Sequence, residues 1–160
     1  MLDRQIDRAI NPEPVPGIGY EPTYSGVSSL FRRSYSTTPG DADIAILGLP
    51  FDLATTNRPG ARFGPRAIRA ASTNLSWEGA TWPWGFDPFK VLSVVDCGDS
   101  FFDPGKPDQI TAAIEKRAGS LMSDGASLVS IGGDHFASYP LLRAMHKLHG
   151  PVALVHFDAH

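Results

Sequence analysis

Four short apolar runs, each about one strand long, constrain this chain more than any other feature: Ile44-Ala45-Ile46-Leu47, Val91-Leu92-Ser93-Val94-Val95, Ser127-Leu128-Val129-Ser130-Ile131 and Val152-Ala153-Leu154-Val155. Their apolarity is continuous rather than alternating, which predicts strands covered on both faces, as in a parallel sheet. Helical periodicity fills the gaps. Over 107–124, Ile110, Ile114, Ala118, Leu121 and Met122 recur at helical spacing, with Pro107 suited to the first turn and Gly125 to the end. A second helix is predicted from Ser138, as N-cap, to the stop signal Gly150-Pro151, and a third begins at Gly64-Pro65. Strands alternating with helices predict an α/β layered domain whose functional groups sit beyond the carboxyl ends of the strands.

Before residue 41 the pattern is different. Pro12, Pro14, Pro16 and Pro22 are too close together for a helix, so residues 1–40 are expected to form an extended Pro/Gly-rich arm and residues 41–160 the folded unit. A chain of 160 residues can bury a real core as one domain. A net charge of -3 leaves no electrostatic footprint for nucleic acid. No apolar stretch approaches the roughly 18 residues that span a bilayer. The N-terminus lacks the charged-then-apolar plan of a secretory signal, so the expected location is cytoplasmic, away from membranes. The one cysteine, Cys97, follows an apolar run and is expected to pack as an inert small side chain.

The residues able to do chemistry cluster after the last two runs. His135 follows Ser130-Ile131-Gly132-Gly133-Asp134, and Asp158 and His160 follow the run that ends at Val155. Imidazole and carboxylate suit divalent ions such as Mn, Fe, Co, Ni or Zn, and residues two apart in an extended strand share a face. On residue types alone, a metal site and a plain surface loop in which Asp158 and His160 pair with each other or with water both remain open. Asp134 is expected to orient His135 or the backbone beside it. His156 is assigned to a packed layer, turned away from Asp158 by strand alternation. His146 and His149 are placed at a helix C-terminus with no catalytic role. Arg58, Arg62 and Arg66 are expected to pair with carboxylates and fix their loop. Trp77, Trp82, Trp84, Phe86 and Phe89 are expected to form a local core, and Asp96 and Asp99 to satisfy turn backbone groups.

Six segments together resemble the ureohydrolase (arginase-like) family. They are Gly48-Leu49-Pro50-Phe51-Asp52, the loop from Arg58 to Arg69, Ser72-Thr73-Asn74-Leu75-Ser76-Trp77-Glu78, Val95-Asp96-Cys97-Gly98-Asp99, Gly132-Gly133-Asp134-His135 and Phe157-Asp158-Ala159-His160. The third segment and the Val155-His156-Phe157 before Asp158 resemble the agmatine-hydrolysing branch. The resemblance implies a three-layer α/β/α sandwich on a mostly parallel sheet, incomplete here, with residues 41–160 as the N-terminal half of a catalytic domain. It implies two Mn2+ ions, with His135 on one, His160 on the other and Asp158 bridging both. It implies a homo-oligomer that hydrolyses agmatine to putrescine and urea. The same motifs are compatible with another guanidino substrate, such as guanidinobutyrate. In the family, the metal motif continues with an Asp two residues beyond the His and with a later Ser-x-Asp-x-Asp. This stretch alone is therefore expected to be inactive, and a non-catalytic truncated relative that binds a partner subunit is the alternative from a different class.

Overall fold

The structure, a computed structural model, describes residues 24–76, 79–80 and 83–159. Strands β1 (Ser34–Tyr35), β2 (Ile44–Leu49), β3 (Val94–Asp99) and β4 (Ser127–Gly132) form one parallel sheet in the order β1-β3-β2-β4. Helix α1 (Gly64–Ser72) joins β2 to β3, α2 (Pro107–Ser123) joins β3 to β4, and α3 (Ser138–His149) follows β4.

Side-chain alternation along the strands decides what covers each face. Ala45, Leu47 and Leu49 of β2 share one core with Val95 and Cys97 of β3 and with Ile110, Ile114, Ala118 and Leu121 of α2. Helix α3 joins this layer through Ala144 and through Glu115 of α2, which accepts a 2.7 Å bond from Arg143 Nε and pairs with Lys147. Lys147 first, and Arg143 with it, hold the Glu115 carboxyl below its ordinary pKa. The opposite face is tighter. Ile46 and Gly48 point there, and a Cβ at Gly48 would run into Asp99 and Pro65, so glycine lets α1 lie close to the sheet. Helices on both faces of a parallel sheet give three layers, the arginase-like α/β architecture.

Several elements differ from expectation. Strand β3 begins at Val94, not Val91, and Val91 and Leu92 are exposed. A tight turn at Pro88–Lys90, capped where Asp87 Oδ1 accepts from Phe89 N at 3.0 Å, delays the strand until Val94 pairs with Ile44. Strand β4 is only half covered, with Val129 44% exposed, because β2 is its single neighbour among the described residues. The run Val152–Val155 forms no strand: it has no bridge partner among the described residues and lies exposed. Ser138 is the first residue of α3 rather than its cap; Asp134 instead caps a tight turn, His135–Ala137, that leads into the helix.

Trp84 and Phe86 are exposed rather than packed in a local core, and Trp77 and Trp82 lie outside the described residues. Phe89 does pack, against Phe31 at 5.3 Å between ring centroids. Of the stretch read as an arm, residues 1–23 lie outside the described residues, while Ser34–Tyr35 forms the edge strand β1. Among the described residues no helix is long and apolar enough to cross a membrane.

Candidate metal centre

The site starts from a backbone constraint. Gly133 has φ +32°, and a Cβ there would lie 2.5 and 2.6 Å from the carbonyl oxygens of Leu49 and Phe51. Only glycine lets the chain leaving β4 press against the chain leaving β2. Asp134 then locks the two together. Its N–H donates to the Phe51 carbonyl at 2.8 Å, its Oδ2 accepts from Ala54 N at 2.8 Å, and its Oδ1 accepts from Phe136 N at 3.0 Å. Both carboxylate oxygens are therefore spent on backbone amides around His135. The connections from β2 and β4 lead to helices on opposite faces, so this crevice is a topological switch point, where open α/β sheets place ligands.

His135 Nδ1 lies 3.4 Å from Asp158 Oδ2, and His156 Nε2 lies 3.9 Å from the same oxygen. The two imidazoles meet edge to face at 4.9 Å between centroids. One ligand atom from each of His135, His156 and Asp158 falls within 4.8 Å of the others. Opposite ligands around one divalent ion stand about 4.4 Å apart at bond lengths of about 2.2 Å, so the three groups need only a small adjustment to share an ion. Two imidazoles and a carboxylate fit manganese and its neighbours in the first transition row.

His156 corrects the sequence reading. Positions 156 and 158 are two apart and share a face of an extended chain, so alternation brings His156 to Asp158 instead of turning it away. The signal was the His-x-Asp-x-His spacing itself. His160 lies outside the described residues.

Two ion-pair systems frame the crevice. Asp52, just beyond β2, accepts from Arg62 Nε at 2.6 Å and from the amides of Gly60 and Arg62 at 2.7 and 3.3 Å, which folds the loop 52–62 back on itself. The Arg62 hydrogen bond, helped by those amides, pushes the Asp52 carboxyl down to about 2 against the opposing effect of burial. Arg58 and Arg66 are exposed.

Deeper, Arg69 of α1 donates to both oxygens of Asp96 at 2.7 and 2.9 Å, to Asp99 Oδ1 at 2.5 Å and to the Gly98 carbonyl at 3.0 Å. Burial works against the Arg69 charge, but the two carboxylates outweigh it and raise its pKa. Asp96 also accepts from the amides of Leu30 and Gly98 at 2.7 and 3.0 Å. It is thus a fully buried partner inside β3 rather than a turn residue. An Asp in the middle of a buried strand, facing an arginine-bearing helix, was the sign. Burial pushes the Cys97 thiol up, consistent with an inert packing role.

A parallel sheet between helices, with histidine and aspartate side chains gathered beyond the strand ends, is a layered α/β fold with a candidate metal site at its switch point. The arginase family model matches residues 42–160, and the chain belongs to that family. It is 48% identical over 163 residues to the agmatinase of Chromobacterium violaceum, an alignment covering 100% of this chain and 50% of the relative. The crystal structure of a hypothetical agmatinase from Burkholderia thailandensis superposes with a TM-score of 0.85 at 46% identity, covering 96% of this chain and 49% of that one. The Trypanosoma cruzi formiminoglutamase, solved with Mn2+, superposes at 0.61 with 27% identity, covering 76% of this chain and 40% of that one. The chain spans about half the length of the curated relatives it matches.

Proposed function

We propose that this chain supplies part of the metal centre of an agmatinase, which hydrolyses agmatine to putrescine and urea. The carrying observation is the convergence of His135 and Asp158 at the switch point, in a chain 48% identical to a named agmatinase. In this reading His135 would hold one Mn2+ ion, His160 would hold a second, and Asp158 would serve both. Manganese, when bound, supplies positive charge that acidifies a water for attack on the guanidinium carbon.

The chain's own residues do the rest. Asp134 keeps His135 in place through the backbone of the His135–Ala137 turn. Phe51 and Phe136, 5.5 Å apart between ring centroids, line one side of the crevice with apolar surface. Asp158 adds negative charge that tolerates a cationic, resonance-stabilised substrate. The protein is proposed to be a cytoplasmic homo-oligomer that binds neither nucleic acid nor membrane.

The test is urea release by the complete natural protein supplied with Mn2+, with agmatine, 4-guanidinobutyrate and arginine offered separately. Turnover of agmatine at least about tenfold above the others, abolished by a chelator and by Asp158→Asn, is the expected result. Preference for guanidinobutyrate would transfer the assignment to that substrate. No turnover of any of the three would remove the catalytic reading.

A further inference from the structure

His156 has no part in the two-ion arrangement of His135, Asp158 and His160. Positions 156 and 158 share one face of an extended chain, and Phe157 between them is turned out, 93% exposed. This alternation leaves His156 Nε2 at 3.9 Å and His135 Nδ1 at 3.4 Å from the same oxygen, Asp158 Oδ2. We infer that His156 is a ligand of the ion held by His135, so that His135, His156 and Asp158 form a site of two imidazoles and one carboxylate that loads a divalent ion without His160.

The distances carry the argument. Both separations exceed the roughly 2.7–3.2 Å of an N–H···O hydrogen bond. They suit ligands around one ion better: with bonds of about 2.1–2.2 Å, neighbouring corners of a tetrahedron stand about 3.4–3.6 Å apart. The His135 separation lies on such an edge. The His156 separation is slightly longer, a gap closed by turning a side chain that is 49% exposed. Ligand atoms from all three residues lie within 4.8 Å of one another. Stacking alone explains less. An edge-to-face pair at 4.9 Å between centroids fixes the two rings, but it does not require a nitrogen of each to face one carboxylate oxygen.

Two neutral imidazoles and a carboxylate are a donor set for divalent ions of the first transition row, and three protein ligands leave positions open for water or a further ligand. His135 stands on the turn that Asp134 caps, while His156 and Asp158 come from one exposed stretch. An ion held by all three would tie that stretch to the fixed side through two ligands instead of one. The inference rests on the metal reading of His135 and Asp158, and not on which guanidino compound is hydrolysed.

The experiment is Mn2+ titration of the complete natural protein, followed by electron paramagnetic resonance. His160→Ala should keep one Mn2+ ion per chain, and pulsed measurements on that ion should count two histidine nitrogens. His156→Phe keeps an aromatic ring against His135 but has no nitrogen to offer. Made in the His160→Ala background, it should leave one nitrogen on the ion and weaken its binding at least about tenfold, the lower limit seen when even an outer partner of a metal-bound histidine is lost. Without metal it should melt as its parent does, because the side chain it replaces is half exposed. His149→Ala, at an exposed histidine outside the site, should change neither count nor affinity. No ion in His160→Ala, a single nitrogen on its ion, or undiminished affinity after His156→Phe would each overturn the inference. Asp158→Asn tells the two failures apart. If it binds Mn2+ as tightly as wild type, the metal reading falls and takes the inference with it; if it loses Mn2+ while His160→Ala shows one nitrogen, only the inference falls.

Discussion

The two sides of the candidate metal site are built in opposite ways. His135 rises from a position fixed by Gly133, by both oxygens of Asp134 and by the close approach of β2, all of it backbone geometry within one sheet. His156 and Asp158 come from residues 151–159, which are exposed and have no ladder among the described residues. Hydrogen bonds to neighbouring chain determine the first side; the second meets it through the pair of Asp158 with His135. A ligand on the locked side is preorganised, and a ligand on the exposed side gains order from whatever binds between them.

If this contrast is right, changes beneath the locked side should cost stability heavily. Asp96→Ala is expected to be the most damaging, because it strands the buried Arg69 guanidinium and leaves the amides of Leu30 and Gly98 without their partner. Breaking one side of a buried pair costs about 3–5 kcal/mol, to be read from urea denaturation. A loss below about 1 kcal/mol would show that the α1 side of the sheet does not anchor the rim.

The adjacent glycines sharpen the point. Gly133→Ala drives a Cβ into two carbonyls and should cost about 2–3 kcal/mol. A Cβ at Gly132 meets nothing within 4 Å, so Gly132→Ala should stay within about 0.5 kcal/mol. Equal effects at both positions would mean that the close approach to Leu49 and Phe51 is not what holds His135.

Much of this was legible in the sequence, for reasons that differ by element. Helix α2 could be read almost to the residue, because Pro107, the Ile110/Ile114/Leu121 stripe and Gly125 are all local signals that the fold does not override. The start of β3 could not. Its first apolar residues, Val91 and Leu92, belong to the approach, and its last four include Asp96, Gly98 and Asp99, whose place depends on Arg69 from another element. Gly132-Gly133 was recognisable as a special turn, but only the approach of β2 shows which of the two must be glycine. His156 was within reach, since the two-residue spacing that joined Asp158 to His160 joins it to Asp158 as well.

A milder perturbation tests the loop that flanks the locked side. The Asp52 carboxyl titrates near 2 in the folded protein against 3.8 for an ordinary aspartate. A folded-state pKa lowered in this way contributes stability above the unfolded value and loses it as pH falls through the folded one. The wild type should therefore melt above Asp52→Asn at neutral pH, with the gap closing as pH drops from about 4 towards 2. A gap independent of pH over that range would mean that shape rather than charge pairs Asp52 with the Arg62 loop.

The smallest effect on stability should come from the exposed side, and it is the most informative. Asp158→Asn breaks no ladder and no core contact, so without metal its melting temperature should match wild type within the scatter of surface substitutions, about 0.5 kcal/mol. With metal the two should part. Manganese at about a hundred times its dissociation constant stabilises a protein that binds it only when folded by about 2.7 kcal/mol, and Asp158→Asn should forfeit most of that. His156→Ala separates the two ways of placing a ligand. If His156 joins the donor set it should weaken Mn2+ binding while leaving the metal-free melt unchanged; if it only stacks on His135, Mn2+ binding should survive. A metal-free melt lowered by either substitution would show that residues 151–159 are held by the fold itself, and the contrast between the two sides would then collapse.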